Sequence, residues 1–156
     1  MAYSRTGCNL KFGGIRDGVE TYDVLTTAYV GGQPAMRTAS GVKLAEGVDP
    51  DVGFIGIFAN KSTDDAANGN ATVLKGNIIV DLWNYDSEGA PFDDALSYAV
   101  QDALYIDTNG LWSNATPGAS GSDVPAGATI WGRVKVAPAS ATDVMTVEFL
   151  VTPAVE

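Results

Sequence analysis

Two segments near the C-terminal end constrain this chain more than any other feature. In "ATIWGRVKVA" (128–137), Ile130, Gly132, Val134 and Val136 share one parity, and Trp131, Arg133 and Lys135 share the other. In "DVMTVEFLV" (143–151), Met145, Val147, Phe149 and Val151 alternate with Thr146 and Glu148. Such alternation is the signature of a half-buried strand. Joined through "APASATD" (137–143), the two form an antiparallel hairpin in which one register satisfies both faces. Val134 then opposes Val147, Val136 opposes Met145, Phe149 opposes Gly132, and Arg133 opposes Glu148. A slip of one residue would turn every apolar side chain to the wrong face, so agreement on both faces specifies the pairing. An aromatic across from a glycine, and opposite charges across strands, favour the same register.

The upstream sequence repeats this strand-and-turn grammar. "VETYDVLTTAYV" (19–30) begins it, "GGQP" (31–34) is a turn, and "AMRTASGVKLAEG" (35–47) is a glycine-interrupted strand region. "VGFIGIFAN" (52–60) is apolar on both parities, with Phe54 and Phe58 on one face and Ile55 and Ile57 on the other. That predicts a strand covered on both sides. "KSTDDAANGN" (61–70) reads as a polar loop with a turn at Asn68–Gly69. "ATVLKGNIIVDLWNY" (71–85) is the longest strand pattern, bent or bulged at Gly76. Asp93 or Asp94 is placed to cap one helical turn before Leu96. "LYIDTNGLWSN" (104–114) reads as a hairpin turning at Asn109–Gly110, with Leu104 and Ile106 inward and Trp112 on the face opposite Leu111.

With 18 Gly and 7 Pro spread among Val, Ile, Thr and aromatic residues, the chain is expected to be all-β. The expected architecture is a small β-barrel or β-sandwich of about seven to nine mainly antiparallel strands. Residues 1–18 mix small, polar and basic residues with four glycines and read as an extended N-terminal arm. Residues 19–156 read as a single β domain.

Charge narrows the partners. The net charge is −10. Residues 1–43 hold five cations against three carboxylates, and residues 44–156 hold four against sixteen. An acidic body is a poor fit to nucleic acid, which requires a positive surface, and is repelled by anionic membranes. The start, "MAYSRTGCNLKFGG", lacks the apolar stretch of a signal peptide, and no apolar run reaches the length of a membrane span. The expectation is a soluble protein made in a reducing cytoplasm, with Cys8 as an inert thiol.

Catalytic chemistry is hard to assemble from these residues. There is no histidine, which removes the usual general base and its nucleophile pairs. Asp49/Asp51, Asp64/Asp65 and Asp93/Asp94 could offer oxygen ligands or a glycosidase-type pair, but none falls in a spaced calcium-loop series. They read as solvated turn carboxylates. The expectation is no enzyme, no cofactor and no metal. Asn60-Lys61-Ser62, Asn70-Ala71-Thr72 and Asn114-Ala115-Thr116 fit a glycosylation pattern, which a cytoplasmic chain would not use. Trp131, Arg133 and Lys135 project from one strand face and pair an aromatic with cations, as binding hot spots do. The plainer reading is a cross-strand ladder with Glu148, with Trp131 covering the sheet edge or a neighbouring strand.

Four segments together resemble a known family: "SGVKLAEGVDPDVGFIGIFANKSTDD", "ATVLKGNIIVDLWN", "LSYAVQDALYIDTNGLWSN" and "IWGRVKVAPASATDVMTVEFLV". In their order and glycine placement they are similar to the capsid decoration (cement) proteins of tailed bacteriophages. Those proteins carry a (F/L)xG(I/V)xA segment, then an apolar strand after glycine, then a hairpin opening on Tyr-x-x-x-Asp-x-Leu-Tyr. The resemblance covers residues 35–152. This chain departs from it at Gln101, where the pattern often has glycine before Asp102. The resemblance implies a homo-oligomer, a trimer before a dimer, on the outer capsid surface of the virion. It would bind the phage major capsid protein and clamp neighbouring subunits. Candidate capsid or subunit contacts are Arg5, Lys11, Phe12 and Arg16 in the arm, and Trp112, Trp131, Arg133 and Lys135 in the body. The alternative from a different class is a carbohydrate-binding β-sandwich on a virion fibre or cell surface, with Trp83, Trp112 or Trp131 as the sugar platform.

Overall fold

The computed structural model describes residues 8–13, 19–22, 28–83, 89–139 and 144–151. The strands are β1 (Cys8–Gly13), β2 (Val19–Tyr22), β3 (Pro34–Thr38), β4 (Gly41–Leu44), β5 (Phe54–Phe58), β6 (Ala71–Leu74), β7 (Gly76–Leu82), β8 (Ala103–Ile106), β9 (Trp112–Ser113), β10 (Gly132–Val136) and β11 (Met145–Val151). Among the described residues there is one helix, α1 (Ser62–Asn68), between β5 and β6. The strands form two antiparallel sheets, one ordered β1-β7-β11-β10-β8-β9 and the other β2-β6-β5-β3-β4. The expected all-β class is the observed one. Among the described residues β1 falls inside the expected arm, and β9 has only two residues. The arm thus contributes an edge strand, paired with β7 from Cys8↔Leu82 to Gly13↔Ile78.

The core between the sheets takes Ile57 and Leu74 from one and Ile78, Val80, Leu82, Leu104, Ile106, Val134, Met145, Val147 and Phe149 from the other. Leu74, Ile78, Val80 and Leu82 share one parity in the sequence and all enter this core, but the pattern expected as one bent strand over 71–85 is two strands. Gly76 takes φ +82, and the chain leaves the five-stranded sheet as β6 and enters the six-stranded sheet as β7. Glycine reaches that backbone angle without the Cβ penalty other residues meet.

A second apolar cluster, built on Tyr29, Ala35, Val42, Leu44, Phe58, Ala71 and Val73, lies on the other face of the five-stranded sheet. β5 is covered on both sides as expected, but its parity differs from the sequence reading. Ile57 and Phe54 pack on the shared core, and Phe58 and Ile55 on the second cluster. The cause is a bulge: Ala35 opposes Gly56 and Met36 opposes Phe54, so Ile55 is an inserted residue.

The polar segment read as a loop is helix α1, closed at Gly69 with φ +82. Its one buried residue, Asp65, accepts the Tyr29 hydroxyl at 2.6 Å and Asn60 Nδ2 at 3.3 Å. Tyr29 stacks on Phe58 with centroids 3.5 Å apart. Burial pushes the Asp65 carboxyl up, and the Tyr29 and Asn60 bonds hold it down. A buried carboxylate with donors on both oxygens thus fixes the helix over the second cluster. The helical turn expected at Asp93 is a simple turn instead. Asp93 Oδ1 accepts Ala95 N–H at 3.1 Å, and the Asp93 carbonyl accepts Leu96 N–H at 3.3 Å.

The C-terminal hairpin matches the expected register at three positions, Gly132↔Phe149, Arg133↔Glu148 and Val134↔Val147. Beyond Val134 it departs. Val136 opposes Thr146 rather than Met145, because a bulge inserts Lys135. Val136, expected in the core, is consequently 55% exposed.

Among the described residues, Gln101 is the one non-glycine residue with positive φ, at +76. Its N–H donates to the Val134 carbonyl at 2.8 Å, and its own carbonyl accepts Arg133 Nη1 at 3.0 Å. These bonds hold a side-chain-bearing residue in the left-handed region, at a cost of about 1 kcal/mol. Gln101→Gly is expected to raise stability by about 1 kcal/mol, less the added freedom of the unfolded chain. Urea denaturation measures it, and an unchanged or lower midpoint would count against the strain.

Candidate functional site

The body contacts suggested by the sequence separate into three kinds of position. Trp112 is a correction: it is fully buried. The turn between β8 and β9 occupies residues 107–111, so Ile106 pairs directly with Trp112 and both side chains enter the core. The indole packs edge-on to Phe54 at 5.7 Å and tilted on Phe149 at 4.5 Å. Its Nε1–H donates to the Gly32 carbonyl at 2.7 Å. A residue so enclosed is unavailable as a surface contact.

Trp131 is half-buried just before β10, its backbone bonded to Leu104 on one side and Leu150 on the other. Its Nε1–H donates to Asp51 Oδ1 at 2.6 Å, and its ring tilts on Phe54 at 4.6 Å. Asp51 Oδ2 also accepts the Thr129 N–H at 2.9 Å. Asp51, a turn carboxylate by sequence, therefore fastens the segment 129–131 against the β4–β5 connection. Trp131 thus covers Phe54 on β5 of the other sheet, rather than its own sheet edge or a neighbouring strand.

Arg133 and Lys135 stay at the surface of the six-stranded sheet. Arg133 lies across from Glu148 on β11 and from Ala103 on β8, but its guanidinium donates to the Gln101 carbonyl rather than closing the expected ladder. Lys135 sits in the bulge and is exposed. Around them the sheet exposes Val136, Leu150 and Val144. This set of two cations and three aliphatic side chains is what the structure gathers from the proposed face. Alternation alone could not supply Val136, because the bulge that exposes it leaves no mark in the period-2 pattern.

Lys11 and Phe12 fall on β1, where the pairing with β7 shifts between Leu10 and Phe12. Arg5 and Arg16 lie outside the described residues. The sugar platform loses its tryptophans, since Trp83 and Trp112 are buried and Trp131 is half-buried on Asp51. Two of the glycosylation-type asparagines use their amides internally. Asn114 Nδ2 donates to the Ser97 carbonyl at 2.7 Å and Asp102 Oδ2 at 2.8 Å, and Asn60 to Asp65. Among the described residues no group of three His, Cys, Asp or Glu could hold a metal ion, and no helix is long and apolar enough to cross a membrane.

No family model matches this chain, and no curated protein matches it either.

Proposed function

We propose that the chain is a structural virion protein that binds the outside of a phage head and stabilises the capsid by bridging neighbouring major capsid protein subunits. What supports this most is the physical role of the glycine positions in the resemblance. Gly56, the glycine of "FIGIFA", sits at the β5 bulge where an added Cβ would overlap the Leu74 carbonyl. Gln101 stands where the pattern often has glycine, and its backbone takes the left-handed angle that glycine suits. The pattern thus places glycine at two positions where this fold has a backbone reason for one.

The mechanism is multivalent clamping. A homotrimer would present its arm, with Arg5, Lys11, Phe12 and Arg16, and the Arg133–Lys135 face three times. Contacts that are weak singly then sum through high effective concentration. The exposed Val136, Val144 and Leu150 beside those cations give each contact apolar area to bury. The partner surface would be acidic next to the cations and apolar beside them.

Purified protein added to heads that lack it is expected to bind saturably and to raise the capsid melting temperature. Absence of both effects would overturn the proposal. Native mass of the free protein separates trimer from dimer.

A further inference from the structure

The turn Asp107–Leu111 ties the two sheets together. Its Gly110 carbonyl accepts Gln33 Nε2 at 2.9 Å, and Gly110 abuts the Leu44 side chain so closely that a Cβ would collide with it. The Thr108 carbonyl accepts Gly47 N–H at 2.8 Å, and Thr108 N–H donates to the Asp123 carbonyl at 2.9 Å. The turn is therefore docked on β4, on the Gly31–Gln33 bend and on the loop around Asp123.

At its centre is Asp107, 1% exposed. Oδ1 accepts Asn109 N–H at 2.8 Å and Leu111 N–H at 2.9 Å. Oδ2 is the one buried side-chain polar atom among the described residues that lacks a hydrogen-bond partner. The charged neighbours do not compensate it. Asp93 and Asp123 both repel a negative charge there, and Tyr98 brings a neutral phenol. β4 supplies Leu44, with half-buried Lys43 on the alternate face of the strand, and Glu46 follows it exposed to solvent. The 31–33 bend supplies uncharged Gln33.

We propose that Asp107 is a proton-operated latch: its neutral carboxyl keeps the turn docked between the sheets, and its ionisation loosens the turn. The neutral group still offers Oδ1 to both N–H donors and no longer buries a charge. The ionised group gains stronger bonds at Oδ1 but leaves Oδ2 buried and unpaired beside two other acids. Burial pushes the carboxyl up to about 6; the Leu111 and Asn109 N–H bonds oppose this, and Asp93 and Asp123 add to it. An unfolded aspartate titrates near about 3.9. The folded state therefore holds the proton more tightly. The latch's contribution is complete below about pH 4 and is lost as pH rises through about 6. The difference between about 3.9 and about 6 corresponds to at most about a hundredfold change in the docked-to-open ratio.

Hydrogen exchange at the Asn109 and Leu111 amides tests this, with protection corrected for intrinsic exchange and compared at about pH 5 and about pH 8. Wild-type protection is expected to fall by about tenfold across that interval, the part of the hundredfold that lies above about pH 5. Asp107→Asn keeps an acceptor oxygen without a charge, and its protection is expected to be equal at both ends. The carbon resonance of the Asp107 carboxyl should titrate with a midpoint near 6. Asp123→Asn should lower that midpoint by removing one repelling acid. A wild-type midpoint near about 4 would overturn the latch, as would a fall in Asp107→Asn as large as in the wild type. Should Asp107→Asn fail to fold, the wild-type titration and the Asp123→Asn shift decide the matter alone.

Discussion

Gly56→Ala is expected to cost more than about 4 kcal/mol, enough to leave most of a marginally stable domain unfolded. Two effects combine at this position. The backbone holds φ +156, and the new Cβ would overlap the Leu74 carbonyl oxygen while meeting Val73 Cγ1 at 2.9 Å. Leu74 and Val73 are the β6 residues that pair with Ile57 and Phe58. A clash with a backbone carbonyl cannot be relieved by a rotamer change, so β5 and β6 would have to separate. Separation would open both apolar clusters at once, since Ile57 serves one and Phe58 the other. Gly69→Ala is the control. Gly69 has φ +82 with nothing within 4 Å of the added Cβ, so only the backbone strain of about 1 kcal/mol remains. Far-UV circular dichroism and urea midpoints of the two variants give the comparison. Equal midpoints would show that the close approach at Gly56 does not matter.

The same bulge shows where the sequence is legible and where it stops. Alternation identified the partners of Gly132, Arg133 and Val134 because that stretch of β10 and β11 runs without interruption. It failed at Ile55 and at Val136, where one inserted residue in β5 and in β10 reverses every assignment beyond it. An insertion changes parity but not composition, so no local signal announces it. Helix α1 was unreadable for a different reason. Its seven residues bury only Asp65 and so offer no apolar period for a helix to display. What fixes it is the Tyr29 hydroxyl, 36 positions away in sequence. The buried acid at the latch was hidden likewise, because an Asp two residues before Asn-Gly reads as an ordinary turn residue. The cations of the proposed face are visible by parity. Their aliphatic neighbours are not, since alternation places Val136 in the core.

Trp112→Ala is the second large effect expected, and it bears on the functional reading. Emptying a fully buried indole site costs about 3–5 kcal/mol, and the Gly32 carbonyl would also lose its donor. Trp112→Phe keeps most of the ring contact with Phe54 and Phe149 and loses the N–H and part of the ring volume, for about 1–3 kcal/mol. Urea denaturation should therefore order the proteins as wild type, Phe variant, Ala variant. An Ala variant as stable as wild type would contradict the burial of Trp112. Lys135→Glu should behave oppositely. Lys135 is exposed in the β10 bulge, so stability should change by less than about 0.5 kcal/mol. Binding to phage heads should weaken severalfold, and more steeply at low salt, where charge reversal is least screened. The two tryptophan variants, assayed as folded protein, should still bind heads, because their loss lies in the folding equilibrium and not in the contact. A folded Lys135→Glu protein that binds like wild type would remove this face from the proposed clamp and leave the arm as the remaining candidate.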